Sequence, residues 1–196
     1  MTERENLLRV IRFEKPDYIP TRFSVSGACW HHYPQDALQD LMASHPFLFP
    51  KFKKSPEPIR PRHAPWRRAG KPYVDSWGCV WETTDDGITG AVTGHPIENW
   101  DDFDTYTPPD PNRDFGWGAV EWDRTASTLK KAGSEGRIKQ GALRHGHTFL
   151  TLTYIRGYKN LIFDMADDER RLHDLIRIVS DFNLEIVRRY LDLGVE

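Results

Sequence analysis

Two short stretches concentrate the side chains able to do chemistry. Cys29-Trp30-His31-His32-Tyr33 puts a thiol, two imidazoles and a phenol side by side. Thiolates and imidazoles ligate zinc, but neighbouring histidines diverge on an extended backbone and no fourth ligand is apparent. No metal is assigned there. The stretch is either a packed polar loop or a substrate contact through His31, His32 or Tyr33. In Arg144-His145-Gly146-His147 the imidazoles are two residues apart, a spacing able to direct both toward one ligand. Arg144 adds a guanidinium that pairs with carboxylates. The competing reading is a solvated turn at a helix start. Trp77 and Trp81, four residues apart, either line a planar-ligand pocket or take a core or hairpin-face role. The carboxylate pairs Asp85-Asp86 and Asp101-Asp102 sit in a hairpin turn and at a helix start, places that select Asp for backbone reasons. A phosphate-cradling glycine loop, a G-x-S-x-G elbow and a nucleotide fingerprint are all absent.

The elements that must hold these residues are legible to different degrees. Thr2 and Glu5 form a capping box ahead of Leu7, Leu8, Val10 and Ile11, which predicts a helix from Glu3 to Phe13. Thr21 to Ser26 alternates and reads as a strand, and Asp36 to His45 as a helix stopped by Pro46. Cys79–Thr83 and Ile88–Val92 flank Asp86-Gly87 as a β-hairpin within Tyr73 to Thr93. Asn99 caps a short helix, Trp117 to Ala132 reads as a helix ended by Gly133, and Arg137 to Leu143 is a strand candidate. Helical spacing returns from Thr148 to Met165 with a break at Gly157. It continues in a long amphipathic helix capped by Asp167 or Asp168 and stopped by Gly194.

The 27 basic and 29 acidic residues nearly balance, so neither nucleic acid nor an anionic membrane is implied as a partner. Aromatics at 12%, seven of them Trp, supply a core. No apolar run reaches the roughly 20 residues of a membrane helix, and the charged start lacks a secretory signal, which points to the cytoplasm. Cys29 and Cys79 permit one bridge at most. Between Pro46 and Pro72 lie seven of the fourteen prolines, and every charge there except Glu57 is basic. This arm is a solvated excursion or a grip on an acidic ligand or neighbouring subunit.

Thr2 to Pro20, reading T-E-R-E-N-L-L-R-V-I-R-F-E-K-P-D-Y-I-P, resembles the opening of the uroporphyrinogen decarboxylase superfamily, in which such a helix enters the first barrel strand through K-P-D-x-[VI]-P. Asp75–Glu82, His95–Trp100 and Arg156–Met165 running into Asn183–Val195 are similar to its divergent, methyltransferase-like branch. The resemblance spans nearly the whole chain. It implies an α/β fold, a partial (β/α)8 TIM-type barrel comprising the N-terminal half over residues 1–196, with the hairpin as an antiparallel excursion. A complete barrel needs about 250 residues. Where the haem-pathway decarboxylases carry R-Q-A-G-R-Y, this chain has Ser26 to Tyr33 without arginine, which favours corrinoid-linked methyl transfer over tetrapyrrole decarboxylation as the parent reaction. The G-A-P-W-T-L-A-x-Y motif is loosely matched by Gly146 to Tyr154, giving Tyr154 a catalytic role by resemblance.

The expected site is therefore His147 and Tyr154 as catalytic residues, with His31, His32, Tyr33, Arg144, His145 and Trp77 contacting a small molecule or a tetrapyrrole- or corrinoid-type ligand. The two histidine loops should converge, since loops after parallel strands share one barrel face. No cofactor is expected in this chain, zinc belonging to the C-terminal half. An open barrel edge should drive self-association and leave the fragment inactive. The alternative is a non-catalytic half-barrel that binds a partner.

Overall fold

The computed structural model describes all 196 residues as a mixed α/β protein of seven α-helices, two 3-10 helices and one three-stranded antiparallel sheet. Helix α1 spans Glu3–Ile11. The Thr2 hydroxyl accepts from the Glu5 N–H at 3.2 Å while the Glu5 carboxylate accepts from the Thr2 N–H at 2.8 Å, the capping box its sequence announces. The helix ends before Phe13, whose φ of 55° is left-handed. Buried Asn6 then anchors the exit, donating to Tyr18 O at 2.8 Å and accepting from Asp17 N at 2.7 Å. Helix α2, Cys29–His32, is a single turn where a loop was expected, and α3 spans Gln35–Ser44.

The proline-rich arm is not a loose excursion. Gln35 and Gln39, one turn apart on α3, each clamp its backbone with donor and acceptor together. Gln35 takes Ile59 at 2.9 and 2.6 Å, and Gln39 takes Ser55 at 3.2 and 2.7 Å. The side-chain amides thus supply the pairing that prolines deny the arm.

Strands β1 (Tyr73–Val74), β2 (Val80–Glu82) and β3 (Ala91–Gly94) form the sheet, β2 and β3 being the expected hairpin. Gly90 is required there: a Cβ would lie 1.8 Å from the Glu82 carbonyl oxygen. After a 3-10 helix at Trp100–Thr105, with its capping box of Asn99 and Asp102, comes α4, Trp122–Ser134. This helix starts later than predicted because Gly118 (φ 142°) and the Asp114–Ala119 bridge hold the preceding turn open. It also passes through Gly133. The left-handed residue that ends it is Gly136 (φ 68°), with Arg137 N bonded to Ala132 O and Gly136 N to Gly133 O in a Schellman motif.

Helices α5 (Phe149–Arg156) and α6 (Tyr158–Ala166) meet at Gly157, φ 79°. Arg156 braces this corner, donating to the Asp164 carboxylate at 2.7 and 3.3 Å and to Ile97 O at 3.1 Å, with its guanidinium 4.6 Å from the Trp100 ring centre. Helix α7 spans Arg170–Asp192. Its cap is Glu169 rather than Asp167 or Asp168, because Asp168 occupies the left-handed turn at φ 52°. A second Schellman motif around Gly194 closes it.

Thr21–Ser26 and Arg137–Leu143, expected as parallel strands, belong to no sheet. A parallel strand needs a neighbour delivered by a crossover, and Phe23 is accordingly half-exposed. The apolar core joins Trp77, Cys79, Trp81 and Ile97 to Leu152, Ile155, Leu161 and the inner face of α7, and none of its residues precedes Trp77. No helix is long and apolar enough to cross a membrane.

Candidate functional site

Arg144 to His147 forms a tight turn into α5. Gly146 is left-handed (φ 70°), a Cβ there would come within 2.5 Å of Leu150, and its carbonyl accepts from both the backbone N–H and the hydroxyl of Thr151. Asn183 of α7 donates to the His147 carbonyl, fastening the turn to the long helix. The His147 ring meets the Thr148 hydroxyl at 2.8 Å through Nδ1. Exposed His145 and His147 border an open depression of about 680 Å³ lined entirely by Leu143 to Leu150. That volume suits a small ligand, yet one chain segment supplies every wall.

Behind the turn lies a buried polar centre that sequence reading did not isolate. Asp75 accepts from the backbone N–H of Trp77 at 3.0 Å and of Cys79 at 2.9 Å, from the Trp81 indole at 2.9 Å, and from Arg144 at 2.8 Å. Arg144 also donates to Gly116 O at 2.6 Å and stacks over Trp117, 4.1 Å from the ring centre. Side-chain exposure is 3% for Arg144 and 0% for Asp75. The carboxylate that Arg144 was expected to bind from a substrate is thus supplied by the chain itself. Trp77, 2% exposed and edge-on to Phe182, is a core residue with no ligand-facing surface. The readable signal was the turn: Asp two residues ahead of an N–H it accepts, before Gly78 at φ 84°, is an Asx-turn.

Tyr154 packs edge-on to Trp81 at 4.8 Å, half-buried, and its ring centre is 5.8 Å from the Arg144 guanidinium carbon. Burial raises its phenol pKa above the usual value, against the opposing pull of the Arg144 charge. Burial raises the Cys79 thiol and the Tyr106 phenol further, Asp75 adding to both. At neutral pH Tyr154 is a proton donor rather than a base.

The other histidine stretch is elsewhere in its contacts. His31 Nε2 meets His63 Nε2 at 2.7 Å, and His32 Nε2 stands 3.4 Å from the Asp85 carboxylate. Tyr33 is 60% exposed. No hydrogen bond joins Cys29–Tyr33 to Arg144–His147, and the depression at the second loop contains none of the first, so the expected convergence is not seen in these contacts. The parallel strands that were to align the two loops are not formed in this chain. The paired aspartates have backbone duties: Asp86 accepts from Ala69 N at 2.8 Å and Asp102 from Asn99 N at 2.9 Å. No group of three or more His, Cys, Asp and Glu side chains is arranged to hold a metal.

Comparison with protein-family models, with curated proteins and with solved structures finds no match.

Proposed function

We propose that these residues form the N-terminal part of a uroporphyrinogen-decarboxylase-like (β/α)8 barrel, with corrinoid-linked methyl transfer or tetrapyrrole decarboxylation as the parent reaction. The observation that carries the reading is a single backbone contact: Glu196 N donates to Lys139 O at 3.0 Å. The chain leaving α7 thereby comes beside the Arg137–Leu143 segment that precedes α5, where a crossover to a neighbouring parallel strand would have to deliver it. The order and spacing of the resembling segments support the same reading, and the loop after Leu143 then occupies the barrel face where catalytic groups sit.

In this proposal His145 and His147 contact the ligand, and neutral Tyr154 provides the proton that either replaces departing CO2 or meets a leaving group. Arg144 and Trp77 hold the wall behind them. The internal use of those two residues favours a second reading, a non-catalytic half-barrel that binds a partner. The test is turnover by a chain carrying the remaining barrel units, assayed with uroporphyrinogen and, separately, with a methylated donor and cob(I)alamin. His147→Ala is expected to lower turnover at least about tenfold while the circular dichroism stays unchanged. Turnover of neither substrate leaves the binding reading, and turnover indifferent to His147 removes the site.

A further inference from the structure

We propose that His31 and His63 form an open two-histidine site for a borderline divalent metal ion such as zinc. The two imidazoles come from α2 and from the basic arm, 32 residues apart, and bring Nε2 to within 2.7 Å of Nε2, with ring centres 5.0 Å apart and planes at 58°. Between neutral imidazoles this contact is one N–H meeting one lone pair, and shifting that proton to Nδ1 turns a second lone pair into the gap. A cation accepts both. With Zn–N bonds of about 2.0–2.1 Å, two nitrogens on a tetrahedral ion lie roughly 3.3 Å apart. The rings now meet nearly end to end, so admitting the metal requires the exposed His31 ring to swing off that line as well as withdraw by about 0.6 Å.

The surroundings seat one ring, that of His63, and leave His31 free to adjust. A Cβ on Gly27 would lie 2.8 Å from His63 Cε1 and one on Gly87 2.9 Å from it, so the ring seats against two positions that only glycine leaves free. Arg68 holds the His63 carbonyl at 3.1 Å. Asp85 brings a negative charge to this turn of helix, facing His32 at 3.4 Å. With no third protein ligand, water completes the coordination, and the affinity belongs in the micromolar range rather than that of a closed structural zinc site. Imidazole pairs favour zinc over magnesium, which prefers oxygen.

The site is separate from the His145–His147 loop and independent of the proposed function. Its test is calorimetric titration of the full chain with zinc chloride under excess magnesium. One saturable site is expected, weakened at least about tenfold by His31→Ala and by His63→Ala and unchanged by His147→Ala or His173→Ala. Absence of saturable binding, or binding that survives both of the first two changes, overturns the proposal. Should either variant misfold, sub-stoichiometric Cu(II) added to the unaltered chain decides: the His31 and His63 imidazole resonances must broaden before those of the other histidines, and the reverse order overturns the site.

Discussion

Asp75→Asn isolates the buried centre without changing its shape. The native carboxylate accepts four hydrogen bonds, from Trp77, Cys79, Trp81 and Arg144. An asparagine has one acceptor oxygen. Kept toward the Trp77 and Cys79 amides, it turns an NH2 against the Trp81 indole and the Arg144 guanidinium, donor against donor. An orphaned buried donor costs about 1–3 kcal/mol, and a buried cation stripped of its partner about 3–5 kcal/mol. Contacts within one network are not additive, so the expected loss is about 3–5 kcal/mol, against a typical total of about 5–15 kcal/mol. Urea unfolding followed by far-UV circular dichroism measures it. Arg177→Ala, which removes the exposed pair with Asp174, should leave the midpoint almost unmoved. Asp75→Asn combined with Arg144→Met should recover part of the loss, since the uncompensated charge is gone. A loss below about 1 kcal/mol for Asp75→Asn refutes the reading of Asp75 as a buried carboxylate held by all four donors.

The two thiols should react differently: half-buried Cys29 with Ellman's reagent at once, fully buried Cys79 only on unfolding, a native count of two fast thiols contradicting the burial. Because burial raises Cys79, Tyr106 and Tyr154 above their unfolded values, their contribution is intact below about pH 8.5 and is lost as pH rises beyond it. Alkaline melts that show no fall in Tm contradict this. Glu169, hydrogen-bonded by the Arg171 side chain and backbone, has its pKa pushed down to about 2, so carbon-13 titration of its carboxyl should find a midpoint well below that of an ordinary glutamate. Asn6→Ala removes the polar anchor between α1 and Tyr18 and should cost about 1–3 kcal/mol, visible as faster amide exchange at Asp17.

What the sequence made legible was local. The Thr2–Glu5 box, the Asn99 cap, the break at Gly157 and the apolar face of α7 each depend on residues a few positions apart, and each element formed within a few residues of its expected bounds. The misses are non-local. Thr21–Ser26 and Arg137–Leu143 have strand composition, but a ladder exists only where a distant segment supplies the partner. Arg144 and Asp75 are 69 residues apart, so nothing in the Arg-His-Gly-His spacing revealed that the guanidinium was already engaged. His63 sits alone among prolines and arginines, and only the folded arm brings it to His31.

The division between apolar core and polar clamps sets which parts let go first. All twelve residues of the main apolar cluster lie between Trp77 and Ile186, whereas the amides of Asn6, Gln35 and Gln39 tie α1, α3 and the arm internally. The arm meets the rest through polar bonds such as Ala69 N to the Asp86 carboxylate and through Trp66 stacked on Trp117. Side-chain amides release one bond at a time, while a shared apolar core opens only as a whole. A protease offered the native protein should therefore cut within residues 46–72 long before it touches α7. The surviving piece would still contain the Asp75 centre and the whole of its aromatic surround except Trp66. The first seventy residues are thus a layer bonded mainly to itself, and its loosening would bare the Trp117 face that Trp66 covers while the core beneath stays shut.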